Sequence, residues 1–316
     1  MFDVLTIGDG MITMDPKTTG PMRFVNEFQR KVGGAELNFA IGTARLGLKT
    51  GWLSRLGNDE FGRYIYNFIR GEGIDVSEVK LVDHIPTSVN FKEIMEDGQG
   101  RTFYYRNPSP ISTLTTEDIK EEHIKQFKVL HITGVFMAID PKNPEIIEQA
   151  VYYAKKHGLL ISMDPNIRLR LWSKERAREV LTAFLPQVDV LLTGDEEGDI
   201  LLDTKNTDEL VREFQSHGIG HVVVKKGGAG ALAVTANESI SMPAFPPRKV
   251  VDTVGAGDGF DAGFITGLLK GWPLERTLRF ANKVGSIVVS VKGDNEGLPY
   301  YEDVLVELGE RESIER

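Results

Sequence analysis

The 316-residue chain contains no cysteine. That excludes disulfide staples, thiolate nucleophiles and cysteine-built metal centres, and it fits a reducing compartment. Basic charge is also scarce: 37 Lys and Arg against 46 Asp and Glu leave a formal charge of −9. Such a surface argues against non-specific nucleic-acid binding, and an anionic ligand must then be met by local cations. No apolar run reaches membrane-spanning length. The opening "MFDVLTIGDG" reads as a strand and lacks the basic start and long apolar core of a signal peptide. These absences predict a soluble, cytoplasmic protein. Three motifs are missing too: a G-x-x-x-x-G-K-[ST] loop, a G-x-G-x-x-G turn after the first strand, and an H-E-x-x-H among the six histidines. A dinucleotide dehydrogenase and a zincin thereby lose their support.

What is present is ordinary in bulk, with 41% hydrophobic and 26% charged residues, enough to bury a core. Short apolar runs alternate with helical patterns. "DVLTIG", "TGWLSRLG", "KVLHITG", "LLISMD", "VDVLLTG", "HVVVKKG" and "GALAVTA" read as strands. "GGAELNFAIGTARLGL", "DEFGRYIYNFIRGEGI" (with Asp59 as its cap), "PEIIEQAVYYAKKHG" and "KERAREVLTAFLPQ" read as helices, followed by two long ones near 258–270 and 274–290. The alternation predicts an α/β fold with a mostly parallel, doubly wound sheet. Residues 22–32 and 85–106 break the rhythm as strands without helices, the second around a hairpin-like "EDGQGR". They predict a small antiparallel sheet forming a discontinuous lid, with segments at about 11–32 and 85–107 inserted in a single domain spanning 1–316. The closing "ERESIER" reads as a solvated tail.

The densest signal is "KVVDTVGAGDGFDAGF", residues 249–264. Val250 and Val251 read as the end of a strand and Phe260–Leu269 as a helix, with Gly255, Ala256 and Gly257 as the turn between. Free N–H groups and the helix dipole make such a turn an anion site. Asp258 beside it does not bind an anion; it reads as a base that takes a proton from an attacking hydroxyl. The competing reading is a tight turn with a capping aspartate.

"DTVGAGDGF" closely resembles the second signature of the ribokinase-like, phosphofructokinase-B-type carbohydrate kinases, and "GGAELNFAIGTARLG" resembles their first. The likeness runs through essentially the whole chain in order. It implies a three-layer α/β/α domain with a β lid, ATP and Mg²⁺ use, and transfer of the γ-phosphoryl group to a sugar hydroxyl. By that resemblance Asp258 is the general base, and Gly255, Ala256 and Gly257 form the anion hole.

"VGGAELN", "GQGRTFYYR", "SMDPNIRLRLW", "VVVKKG" and "KGDNEGLPYYED" are similar to 2-keto-3-deoxygluconate kinases. The resemblance implies that Arg106 and Arg168 hold a sugar acid, as planar guanidiniums suit a carboxylate. It also assigns Tyr104, Gly33, Gly34, Asn38 and Asn90 to the sugar. Asn90 departs from the aromatic expected there and exchanges a stacking contact for an amide one. For the nucleotide, the resemblance implies Lys225, Gly227, Gly230 and Asn282. Mg²⁺ is assigned to Glu197 through water, although Gly194 replaces the asparagine of the usual N-x-x-E. Some relatives add a monovalent cation near Asp252, and many pair their lids in a homodimer or higher homo-oligomer. Without the resemblance, "RTFYYR" is a packed strand, Arg168 pairs with a neighbouring acid and Asn282 sits on a helix surface. A kinase of a neutral sugar such as a fructokinase, and a non-catalytic sugar- and nucleotide-binding protein, are the alternatives.

Overall fold

The computed structural model describes residues 1–96 and 100–312; the centre of "EDGQGR" and the last four residues of the tail lie outside the described residues. Its strands are β1 (Val4–Ile7), β2 (Met11–Pro16), β3 (Phe28–Gly33), β4 (Thr50–Gly57), β5 (Val79–Val82), β6 (Val89–Ile94), β7 (Gly100–Tyr105), β8 (Val129–Thr133), β9 (Leu160–Asp164), β10 (Val190–Gly194), β11 (His221–Lys225), β12 (Ala231–Val234) and β13 (Ser239–Met242). The helices are α1 (Ala35–Arg45), α2 (Glu60–Gly71), α3 (Glu121–Ile124), α4 (Gly134–Ile139), α5 (Asn143–Lys156), α6 (Lys174–Phe184), α7 (Asp195–Leu202), α8 (Thr207–Ser216), α9 (Ala256–Leu269), α10 (Leu274–Val288) and α11 (Tyr301–Glu307).

A nine-stranded sheet runs in the order β13-β12-β11-β10-β9-β8-β1-β4-β5. It is parallel from β5 to β11, and only β12 and β13 are antiparallel. Both faces of its strands are apolar. In "HVVVK", Val222 and Val224 join the core shared with α5, α6 and α8, whereas Val223 joins the core of α1, α9 and α10. Period-two alternation thus feeds two cores, and helices cover both faces in three layers. The chain leaves β1 toward β4 on one side and returns through β8 on the other, so a topological switch point lies between β1 and β8. In open α/β sheets ligands bind at the carboxyl ends of such strands.

The second sheet has four strands in the order β3-β2-β6-β7. Its centre corrects the antiparallel expectation: β2 and β6 pair in parallel, Ile12 against Val89, with antiparallel partners outside. Residues 22–32 are not one strand either. Met22–Phe24 form a 3₁₀ turn behind Pro21, whose missing N–H cannot join a ladder, and β3 begins only at Phe28. The strand expected to end at Val250–Val251 is also absent. Both valines lie exposed in an irregular segment that carries Pro243, Pro246 and Pro247.

Candidate active site

The carboxyl ends of β9, β10 and β11 and the turn after β1 open onto one cavity of ≈ 910 Å³, and β6 and β7 of the small sheet contribute its other wall. At its floor α9 begins. Gly255 is the N-cap, at φ 79°, and no side chain caps the helix. A side chain at Gly255 would begin 2.1 Å from the carbonyl oxygen of Asp294, so the turn demands glycine on conformation and on space. Asp258 does not cap. Its Oδ2 accepts from Asn38 Nδ2 at 2.8 Å, and its Oδ1 from Asn166 Nδ2 at 3.4 Å. Asn166 stands at φ 38°, a left-handed conformation that asparagine tolerates and that turns the end of β9 toward the acid. Burial pushes the Asp258 carboxyl up to about 6; the Asn38 hydrogen bond opposes the rise, the Asp164 charge adds to it, and Arg168 and Lys225 oppose it.

Beside this acid, Lys225 ends β11. Its Nζ lies 3.1 Å from Asp164 Oδ2 and 3.1 Å from Asp261 Oδ1. Burial works against the ammonium, but the surrounding carboxylates outweigh it and hold Lys225 charged far above the ordinary lysine range. Asp261 follows Asp258 by three residues and so shares its helix face; burial pushes its carboxyl well up. Glu197 sits in the first turn of α7, where its oxygens accept the N–H groups of Ile167 at 2.8 Å and Gly194 at 2.9 Å. Burial, joined by the Asp164 charge, raises its pKa. Among the described residues no three carboxylate or histidine side chains form a metal cage.

The opposite wall is built by strand alternation. Thr13, Asn90 and Tyr104 stand in one row across β2, β6 and β7, and Lys92 pairs with Thr102 on the same face. Asn90 Nδ2 donates to Thr13 Oγ1 at 3.1 Å. Lys92 reaches out of the sheet to Asp294 Oδ1 at 2.6 Å, with Asp15 Oδ1 at 3.4 Å on its other side. Arg106 at the end of β7 leans on the Tyr104 ring, its guanidinium carbon 4.9 Å from the centroid. Arg168 and Arg170 reach the rim from the loop after β9, and Arg170 Nη1 donates to Thr102 O at 3.4 Å. None of these three arginines forms an ion pair among the described residues. Several buried acceptors find no partner among the described residues: Asp9 Oδ1, Asn38 Oδ1, Asn90 Oδ1 and Glu36 Oε2. Burial pushes Asp9 up to about 6 and Glu36 up to about 7, despite the pull of Arg106 on Asp9 and of the Thr133 hydroxyl on Glu36. A cavity with donors on its rim and unpartnered acceptors on its walls is made for a hydroxyl-rich anion.

Of the residues expected at the site, Gly34, Asn38, Asn90, Tyr104, Arg106, Arg168, Glu197, Lys225, Gly255, Gly257 and Asp258 line this cavity together. Gly34 adopts φ 143° with the Asp9 carbonyl where a side chain would begin. Gly33 lies just behind, under the Asp294 carboxylate. Ala256 is the first residue of α9 and does not line the cavity. Gly227 and Gly230 flank the turn after β11, away from it. Asn282 is also outside; it is buried against Met242 and Pro243, so it is not the surface asparagine that its position on a helix suggested. Sequence reasoning passed over Asp9, Lys92, Asp164, Arg170 and Asp261. Asp9 and Asp164 carried a readable signal, an acid just past an apolar parallel strand, and Asp261 carried its helical spacing from Asp258. The pairing of Lys92 with Asp294 carried none, since 202 residues separate them.

The chain matches the pfkB family carbohydrate kinases over residues 1–300. It is 31% identical to a 2-dehydro-3-deoxygluconokinase of Bacillus subtilis, covering 99% of this chain and 97% of that one, and 33% identical to one of Thermoproteus tenax, covering 95% and 92%. It is also 31% identical to a 5-dehydro-2-deoxygluconokinase of Geobacillus thermodenitrificans, covering 90% and 86%. Among solved structures, a PfkB protein from Polaromonas superposes with a TM-score of 0.89 at 33% identity, covering 96% and 99%. A putative ribokinase II from E. coli in complex with ATP and Mg²⁺ superposes with a TM-score of 0.92 at 25% identity, covering 98% and 100%. Among the described residues no helix is long and apolar enough to cross a membrane.

Proposed function

The chain belongs to the pfkB family of carbohydrate kinases and is an ATP-dependent sugar kinase, and from that premise we propose that its acceptor is a dehydro-deoxy sugar acid, specifically 2-keto-3-deoxy-D-gluconate (2-dehydro-3-deoxygluconate), phosphorylated at its 6-hydroxyl. The observation that carries the reading is the set of three rim arginines that form no direct ion pair among the described residues. In a chain of charge −9 they are the local cations that a sugar carboxylate needs. Both groups of kinase relatives are named for gluconates, which have that carboxylate in common.

In the reaction so read, Arg106 and Arg168 clamp the carboxylate, Tyr104 borders the sugar, and the unpartnered oxygens of Asp9, Asn38 and Asn90 accept its hydroxyls. Asp258, held by Asn38, takes the proton of the attacking hydroxyl. The N–H groups of Gly255 and Gly257, at the start of α9, donate to the phosphoryl oxygens. Glu197, whose two carboxylate oxygens each accept a backbone N–H, would hold Mg²⁺ through water, and the ion would supply neutralisation of the nucleotide's phosphate charge. A monovalent cation near Asp252 is proposed on resemblance alone, and no step depends on it. The small sheet acts as a lid that excludes water, and its outer face, where Tyr105 is 61% exposed, is proposed as the contact of a homodimer.

The test is ADP release from ATP and Mg²⁺ with 2-keto-3-deoxygluconate, 5-dehydro-2-deoxygluconate, fructose and ribose as acceptors. Turnover on the first at least tenfold above the others is expected, and Arg168→Ala raises its KM while leaving KM for ATP within threefold. Turnover on the second acid alone keeps the carboxylate clamp and changes the sugar. Fructose or ribose as the preferred acceptor overturns the sugar-acid reading. ATP binding without turnover on any acceptor favours a non-catalytic sugar- and nucleotide-binding protein.

A further inference from the structure

Lys225 stands at a particular point of the cavity. Its Nζ is 3.8 Å from where a side chain on Gly257 would begin, so it adjoins the N-terminus of α9 and not the arginine rim. Carboxylates hold it on two sides, Asp164 Oδ2 and Asp261 Oδ1 each at 3.1 Å, and its side chain keeps 16% of its exposure. Two of its three N–H donors are thereby engaged and one is uncommitted. The other cations lining the cavity, Lys92, Arg106, Arg168 and Arg170, come from the small sheet or the loop after β9. Around Lys225 stand Asp164, Asp261, Asp258 and Glu197, so this end of the cavity has more acid than base. The polyphosphate of a nucleotide has to enter there, next to the helix N-terminus, and helix dipoles supply only about half a charge. A fixed cation is what that end requires.

We propose that Lys225 is a catalytic residue: its ammonium contacts an equatorial oxygen of the transferring γ-phosphoryl group, and Asp164 and Asp261 are positioning residues that fix it there. The assignment rests on the kinase reading above and deepens it. In the step, the sugar hydroxyl oxygen forms a bond to Pγ while the bond from Pγ to the bridging oxygen of ADP breaks. The electron pair leaves with ADP, and the hydroxyl proton goes to Asp258. Charge moves during this exchange, and a cation already held in place by two carboxylates stabilises it without reorganising. The clamp also keeps the lysine from following the ground-state nucleotide, so its effect falls on kcat more than on nucleotide affinity.

Wild type, Lys225→Met, Lys225→Arg and Asp261→Asn are compared for kcat, for ATP affinity and for affinity of ADP with aluminium fluoride and Mg²⁺ in the presence of the sugar acid. Lys225→Met is expected to lose roughly a hundred- to a thousandfold in kcat and in affinity for the fluoride complex, with ATP affinity within about threefold. Asp261→Asn is expected to lose about tenfold in both, again sparing ATP. If Lys225→Met does not fold, the double variant Lys225→Met/Asp261→Asn removes the cation together with one partner and is read in the same way. Folded variants with kcat within fivefold of wild type, or with weakened ATP binding at unchanged kcat, overturn the proposal and leave Lys225 a brace or a ground-state contact. A wild type that transfers no phosphoryl group overturns the kinase reading itself, a separate outcome.

Discussion

Asp258 shows how burial sets chemistry at the scale of one residue. Its carboxyl sits at about 6 because the cavity floor disfavours its charge, and the Asn38 amide recovers only part of that cost. A base must be deprotonated to act, so kcat/KM is expected to be flat above pH 7 and to fall below pH 6, to about one-tenth of its plateau at pH 5. A pH–rate profile checks this, and a profile level to pH 5 would contradict it. Asp258→Asn keeps the shape and removes the proposed base, with an expected loss of roughly a hundred- to ten-thousandfold in kcat and ATP affinity unchanged by calorimetry. The identity of this acid was readable because its glycines and its position before an apolar helix are local. The clamp on Lys225 was not, since Asp164, Lys225 and Asp261 come from three separate elements and meet only through the register of the sheet.

At the scale of the element, α2 illustrates a cap with two tasks. Asp59 accepts from Gly62 N at 2.8 Å as N-cap, and also from Thr87 N at 2.7 Å, just before β6. Burial pushes its carboxyl up, yet the N–H groups of Thr87 and Gly62 outweigh burial and hold it below the usual aspartate range. Its stabilisation is therefore present at neutral pH and disappears as pH falls through the lowered native value. Asp59→Ala should cost about 1–2 kcal/mol at pH 7 by denaturant titration, with the difference from wild type closing below pH 4. Most elements were legible because their signals were local: caps, glycine stops and period-two runs of valine and leucine. The short α4 and α7 were not, as each begins directly at a strand end and is too brief for helical periodicity. The parallel pairing of β2 with β6 was hidden for another reason. Alternation reveals which side chains share a face, but not the direction of the neighbouring strand.

For the whole molecule, the small sheet is fastened to the rest by polar links. Lys92 meets Asp294, Lys31 Nζ donates to Lys292 O at 2.6 Å, and Asn295 Nδ2 donates to Val32 O at 2.6 Å. Asp294 in turn lies against Gly255 at the start of α9, so the loop 292–295 connects the small sheet to the turn that opens α9. The outward face of that sheet is where association is expected: Tyr105→Glu should shift the protein from dimer to monomer in sedimentation velocity, whereas a wild type that sediments as a monomer would remove the interface. No single stretch of sequence encodes these long-range links, and that is why the site's outline was legible and its closure was not. The bond from Asn38 to Asp258 spans 220 residues, and so joins parts of the chain that are made at different times. At synthesis rates of about 5–20 residues per second, Asn38 waits roughly 10–40 seconds for its acid partner to be added. On the proposed reading of Asp258 as the base, a growing chain therefore holds Gly33 and Gly34 well before it holds that acid, and phosphoryl transfer waits for the last quarter of the chain.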